Sequence, residues 1–214
     1  KMSSIDFVKN ILIKGLNLKH LVIGNDHHFG RNRTANITQL MEYSKLYDFK
    51  VTQVDAFKLN GISVSSTKIR SLIKDGNIDQ ANRFLGYNMF LSGTVVAGKG
   101  RGKKIGFPTA NIILDQLKIK PGNGVYLISS TLTGIKIYGM MNIGNNPTFD
   151  DKIPSIEVHF FDFDKKIYDE NISIQIITRI RNEIKFSGSD ELSNQLIEDK
   201  KKCIEFISRN KKST

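Results

Sequence analysis

Cysteine is almost absent: Cys203 is the single one in 214 residues. That excludes an intramolecular disulfide and any zinc site built from several cysteines, and a lone thiol of this kind reads as one more buried apolar position. Long hydrophobic runs are missing too. No stretch approaches the roughly 20 apolar residues that a membrane-spanning helix needs. The opening KMSSIDFVKN has no apolar stretch followed by a small-residue cleavage site, so nothing marks a secretory signal. A cytoplasmic protein without membrane contact is the expectation. Acidic residues are outnumbered, 21 Asp and Glu against 32 Lys and Arg, for a formal net charge of +11. Such an excess draws in polyanions, whether nucleic acid, anionic lipid or nucleotide phosphate, and charge alone does not choose among them. Much of it, including lysines 200–202 and 211–212, reads as a solvated surface.

What is present is the composition of a globular chain, 39% hydrophobic and 25% charged, long enough for one large domain or two small ones. Its first 86 residues alternate helical and strand patterns. Ile5, Val8, Ile11, Leu12 and Leu16 recur at helical spacing, Leu21 to Ile23 form a short strand, a second helix runs from about Ile37 to Leu46, and Val51 to Val54 read as another strand. The alternation predicts a parallel sheet with flanking helices. Ser65-Ser66-Thr67 then opens a helix that stops at Asp75-Gly76, and a further helix runs from Ile78 to Leu85.

From Tyr87 onward the pattern changes to short runs punctuated by Gly, Pro and Asn. Five candidate strands, at 90–97, 125–131, 135–143, 155–163 and 172–180, predict an antiparallel barrel or sandwich. A helix over about Asp190 to Arg209 closes the chain, with an apolar stripe of Leu192, Leu196, Cys203, Ile204, Phe206 and Ile207.

The densest chemical signal is GKGRGKKIGFPTAN, residues 98–111. Glycines at 98, 100, 102 and 106 let backbone approach a ligand, and Lys99, Arg101, Lys103 and Lys104 would cradle a polyphosphate. A flexible basic hairpin or a nucleic-acid contact fits the same residues. A Walker A loop does not, because its GKS or GKT ending and following helix are absent. Thr109 and Asn111 offer two neutral oxygens that share a side on extended backbone and could hold a hard cation such as Mg2+, with nucleotide phosphates completing the shell; an ordinary turn after Pro108 is the alternative. Along SIEVHFF, residues 155–161, Ile156, Val158 and Phe160 share one face while Glu157 and His159 share the other. Glu157 is either a proton acceptor for an attacking hydroxyl or part of an exposed strand face paired with a lysine. His159 reads as a supporting or surface residue rather than a metal ligand.

In order along the chain, GKGRGKKIGFPTAN (98–111), NGVY (123–126), NIGNNPTF (142–149), IEVHFFDFD (156–164) and IRNEIKF (180–186) resemble the bacterial bifunctional riboflavin kinase/FMN adenylyltransferases, the FAD synthetases. The resemblance implies an α+β chain in two parts. Residues 1–86 would be an incomplete, Rossmann-like nucleotidyltransferase segment, and residues 87–214 a riboflavin-kinase-like antiparallel Greek-key β-barrel with a C-terminal helix. It also implies an enzyme that phosphorylates the 5′-hydroxyl of riboflavin to FMN with Mg-ATP. Gly98, Lys99, Gly100, Arg101, Gly102, Lys104, Gly106, Pro108 and Thr109 would bind ATP, and Thr109 and Asn111 the Mg2+. Glu157 would be the general base, and Arg181, Glu183 and Phe186 would lie near the flavin.

Two further motifs, IGNDHHFGRNR (23–33) and VSSTKIRSLIKDGNIDQANRFLG (64–86), resemble the second half of the adenylyltransferase domain. Ser65, Ser66, Thr67 and Arg70 would form its nucleotide site, although a simple N-cap explains the serines equally. The HxGH-type motif that opens that domain is absent, since the histidines are His20, His27, His28 and His159. The chain therefore reads as a fragment or a natural truncation, one that makes FAD only if the upstream half is supplied and that has a surface open to a missing piece or to self-association. A basic β-barrel that binds RNA is the rival reading, and it needs exposed aromatics on which bases can stack.

Overall fold

The computed structural model describes residues 2–24, 37–98, 100–114, 118–144 and 155–211, the side chains of Arg101, Ser155 and Lys211 excepted. Contacts divide the chain into two compact units, Lys1–Val64 and Ser65–Thr214.

The first unit opens with a single helical turn, α1 (Ser4–Asp6), capped by the Ser3 hydroxyl, which accepts from the Asp6 amide at 3.2 Å. The apolar spacing here predicts an α-helix through Leu16, yet Phe7–Gly15 is wound as a π-helix, with the Leu16 amide reaching back five residues to the Ile11 carbonyl at 2.9 Å. The wider winding carries Val8 into a small core with Ile23, Leu40 and Phe49. Strands β1 (His20–Gly24) and β2 (Lys50–Val54) pair in parallel, joined through a crossover that contains α2 (Ile37–Tyr47). This is the predicted parallel arrangement. A two-residue hairpin not foreseen in the sequence follows, β3 (Lys58–Leu59) and β4 (Ile62–Ser63), turned by Asn60 and Gly61, both at positive φ.

The second unit begins with two helices, α3 (Ser66–Lys74) and α4 (Ile78–Leu85). Then come β5 (Phe90–Val96), a one-turn helix α5 (Arg101–Lys104), β6 (Ala110–Leu114), β7 (Gly124–Leu132), β8 (Ile135–Gly144), β9 (Ser155–Phe160), β10 (Asn171–Arg181) and the long helix α6 (Ser189–Lys211). The six strands close into an antiparallel barrel in the order β10-β5-β6-β9-β8-β7. The run β7-β8-β9 is a meander with β6 returning beside β9, which is a Greek key. Five strands were expected; the sixth is β6, a short run hidden behind Pro108 and the glycine-rich segment.

Alternation gives the barrel two apolar surfaces. The inward residues, among them Val95, Ile112, Tyr126, Ile128, Met141, Ile143, Ile156, Val158, Phe160, Ile174 and Ile176, form the main core. Outside, Val125, Leu127, Met140 and Phe161 pack against Cys203, Leu196, Phe206 and Ile207 of α6. Ile204 belongs to the predicted apolar stripe but is 48% exposed, because Cys203 rather than its neighbour faces the barrel.

The sequence division at residue 86 and the division by contacts at Val64 differ by the α3–α4 pair, which is part of the barrel unit. Ile73, Ile78 and Ala81 join the barrel core. The Asn82 side chain donates to the carbonyls of Ile176 at 2.9 Å and Ile177 at 3.2 Å, and accepts from the Met89 amide at 2.8 Å. Arg179 donates to the carbonyls of Asp75, at 3.2 Å, and Asn123, while the Tyr126 hydroxyl donates to the Gly122 carbonyl. Burial pushes the Tyr126 phenol above its ordinary range, offset in part by Arg179. Gly76 sits at φ +74, where a side chain would collide with the Arg179 guanidinium.

Candidate active site

Barrel register sets the site. Directly paired residues of neighbouring antiparallel strands point to the same face, and one row crosses Asn111 on β6, Glu157 on β9, Asn142 on β8 and Val125 on β7, continuing to Arg181 on β10. Val125 packs on α6, so the row lies on the outer face of the barrel. Glu157 is half-buried there, while its neighbours Ile156 and Val158 fill the interior. The Thr109 hydroxyl lies 3.5 Å from Glu157 Oε2, the outer limit of hydrogen-bond distance. Such a loose pair leaves both groups free to turn toward a ligand.

Two glycines of the glycine-rich segment, Gly98 and Gly102, lie against the Asn111 end of this row. A Cβ at Gly98 would overlap the Asn111 side-chain amide, and one at Gly102 would overlap the Phe107 carbonyl and come within 3.5 Å of Thr109 Oγ1. Glycine at these two positions therefore lets the segment lie directly on the side chains of Thr109 and Asn111. Part of the expected loop is helical: α5 makes one turn, sealed by the Phe107 amide donating to the Gly102 carbonyl at 2.8 Å. Lys103 and Lys104 of that turn are exposed. Lys99, the Arg101 side chain and residues 145–149 of the NIGNNPTF motif lie outside the described residues.

His159 lies two residues beyond Glu157 on the same face and is buried. Its Nδ1 is 2.9 Å from the Pro108 carbonyl oxygen, and since a carbonyl only accepts, Nδ1 carries the proton. The ring stands edge-on to Phe107 and Phe161, with centroids 5.1 and 5.9 Å away. Burial holds the imidazole below its ordinary pKa near 6.5, against a smaller opposing effect of the Pro108 hydrogen bond.

At the other end of the row, β10 carries two irregularities, between Ile176 and Thr178 and between Arg179 and Arg181. These kinks re-aim its last residues. Arg181 Nε donates to both carboxylate oxygens of Asp199 on α6, at 3.0 and 2.8 Å, and Nη1 donates to the Asn182 carbonyl at 3.0 Å. Asp199 is 0% exposed and accepts a further bond from Gln195 at 2.9 Å. Arg181 is thus a strut between strand and helix, and its guanidinium also lies 5.7 Å above the centre of the Phe186 ring. The exposed carboxylate of Glu183 accepts from Asn123 Nδ2 at 3.0 Å and lies against Gly144 at the end of β8.

Thr109, Asn111 and Glu157 therefore come together beneath the glycine-rich segment, while Arg181, Glu183 and Phe186 cluster at the far end of the same row. Ser65, Ser66, Thr67 and Arg70 do not join them. They are exposed at the start of α3, where Ser65 caps the helix by accepting from the Lys68 amide at 3.3 Å. His27 and His28, with most of the IGNDHHFGRNR motif, lie outside the described residues. Sequence reasoning gave no role to Asn142, the first residue of the NIGNNPTF motif, or to Asp199. Asn142 is a polar residue between the apolar Met140-Met141 pair and Ile143, and Asp199 interrupts the apolar stripe of α6 between Leu196 and Cys203; both interruptions were available as signals. Phe160 is interior and Phe161 lies under α6, so this strand offers no aromatic ring for stacking on bases.

Comparison with known proteins agrees with this architecture. The family model for riboflavin kinase matches residues 85–207, and the one for FAD synthetase matches residues 1–68. The chain belongs to the riboflavin kinase family. Its relatives include the bifunctional riboflavin kinase/FMN adenylyltransferases of Buchnera aphidicola subsp. Schizaphis graminum, 39% identical over 92% of this chain and 64% of that protein, and of Bacillus subtilis, 36% identical over 99% and 67%. This riboflavin kinase family member thus spans about two thirds of the length of the curated relatives it matches. A crystal structure described as a macrolide-efflux protein from Streptococcus pneumoniae superposes with a TM-score of 0.82 at 34% identity, covering 94% of this chain and 64% of that one. Among the described residues of the present family member, no helix is long and apolar enough to cross a membrane.

Proposed function

We propose that this chain is a riboflavin kinase, transferring the γ-phosphoryl group of ATP to the ribityl 5′-hydroxyl of riboflavin to give FMN and ADP, in the cytoplasm where ATP is supplied. The observation that carries the reading is the meeting of Thr109, Asn111 and Glu157 under the glycine-rich segment, on a barrel matched from end to end by the riboflavin kinase family model.

Phosphoryl transfer asks a protein mainly for positioning and for stabilisation of charge. Glu157 takes the proton of the attacking hydroxyl as the oxygen closes on the γ-phosphorus and ADP departs. The amides of the glycine-rich segment and the exposed Lys103 and Lys104 hold the phosphates. No cluster of three or more His, Cys, Asp or Glu side chains suited to a metal occurs among the described residues. The neutral oxygens of Thr109 and Asn111 fit Mg2+ that arrives already bound to nucleotide phosphate, and these two residues would hold it. Bound there, the cation would neutralise phosphate charge. Glu183 and Phe186 face the flavin in this reading, and Arg181 supports them from its bond to Asp199.

The test is incubation of the purified chain with riboflavin, ATP and Mg2+, with riboflavin, FMN and FAD separated by chromatography. FMN formation that depends on ATP is the expected result. Unchanged riboflavin from a folded chain would overturn the reading, and any FAD would reveal adenylyl transfer as well.

A further inference from the structure

We infer that His159 is a positioning residue for the transfer reaction: its Nδ1 proton holds the Phe107-Pro108-Thr109 segment so that the Thr109 hydroxyl stays beside Glu157. The inference rests on the kinase reading but goes beyond the residues that reading uses.

Thr109 enters β6 directly after Pro108, whose own nitrogen has no proton to donate to a neighbouring strand. Backbone pairing between β6 and β9 begins only at Ala110, opposite Val158. The segment that carries Thr109 therefore lacks ladder bonds at the point where its side chain must be placed most closely. His159 supplies the missing tie. It lies on the same strand as Glu157 and on the same face, and it reaches across to the Pro108 carbonyl at 2.9 Å. Its ring is fixed between Phe107 and Phe161, so it has little rotational freedom. Because Phe107 also seals the α5 turn through the Gly102 carbonyl, one imidazole fixes both the end of the glycine-rich segment and the start of β6 relative to the carboxylate. A supporting shell of this kind keeps reacting groups within a fraction of an ångström of their working positions.

Asn and Gln discriminate this role from simple packing. The side-chain nitrogen of Asn can stand where Nδ1 stands, whereas that of Gln corresponds to Nε2 and points past the carbonyl. His159→Asn should keep KM for ATP within about threefold of wild type. His159→Gln should raise it about tenfold, the size expected for one lost hydrogen bond, with KM for riboflavin unchanged in both. In the ligand-free proteins, amide hydrogen exchange over residues 107–112 should be faster in His159→Gln than in His159→Asn. Equal KM values and equal exchange in two folded variants would overturn the inference. The exchange comparison needs no turnover, so it still decides the point if the wild-type chain makes no FMN and the kinase reading itself fails.

Discussion

Glu157 carries the sharpest expectation at the scale of single residues. A general base typically contributes about 10² to 10⁴-fold, so Glu157→Gln should lose FMN formation within that range while keeping its affinity for ATP, measured by calorimetry. Turnover at the wild-type rate would remove the carboxylate from the mechanism. Cys203 is a different case. Burial against the barrel, reinforced by Asp199, pushes its thiol up to about 12, and thiolates rather than thiols are nucleophilic. The thiol should ignore a disulfide reagent at pH 8 until denaturant is added. Its linkage also has a definite sign: the unfolded thiol ionises near 9 and the folded one near 12, so its stabilising contribution is complete below 9 and lost as pH rises between those values. His159 runs the other way. Its folded pKa lies below the ordinary value, so the unfolded chain takes up the proton first, and the stability is present above about pH 6.5 and lost as pH falls through the folded value. The urea midpoint should therefore drop between pH 7 and pH 5 in the wild type, and by less in His159→Asn.

Among the elements, the α3–α4 pair shows how far sequence reading reaches. Both helices were legible, down to the Ser65 cap and the stop at Asp75-Gly76, because those signals are local. Their allegiance was not, because it depends on Asn82 bonding carbonyls 94 and 95 residues away and on Arg179 gripping the carbonyl that ends α3. Removing the amide should leave several backbone groups short of partners. Asn82→Ala should cost about 2 to 4 kcal/mol in urea unfolding, far more than an exposed helix position would. The same contrast runs through the site. Period-two alternation was enough to put Glu157 outside and Val158 inside. Strand β6 went unrecognised because Pro108 and four glycines before it read as loop, and the role of Arg181 as a strut was invisible because its partner lies on another element. The glycine-rich segment was recognised by composition; its partial helical winding and its contact with Asn111 came only from the fold. Gly98→Ala should accordingly displace Asn111 and slow FMN formation while leaving the melting temperature within a few degrees.

For the molecule as a whole, the compact unit that holds the barrel begins at Ser65, upstream of residue 85 where the riboflavin kinase family model begins. A chain starting there keeps Ile73, Ile78 and Ala81 in the barrel core, whereas one starting at Tyr87 exposes that apolar surface to water. The longer piece should be soluble and unfold cooperatively; the shorter should aggregate or melt well below it, as scanning calorimetry would show. The single row of residues that spans the barrel has a further consequence. Side chains alternate along every strand, so sliding β9 by one position would turn Glu157 into the apolar interior and push Ile156 or Val158 out. A barrel paired in the wrong register would have to bury a carboxylate among isoleucines, and it would not survive. Assembly thus acts as an inspection step: any copy of this chain stable enough to persist has already put its carboxylate within reach of Thr109.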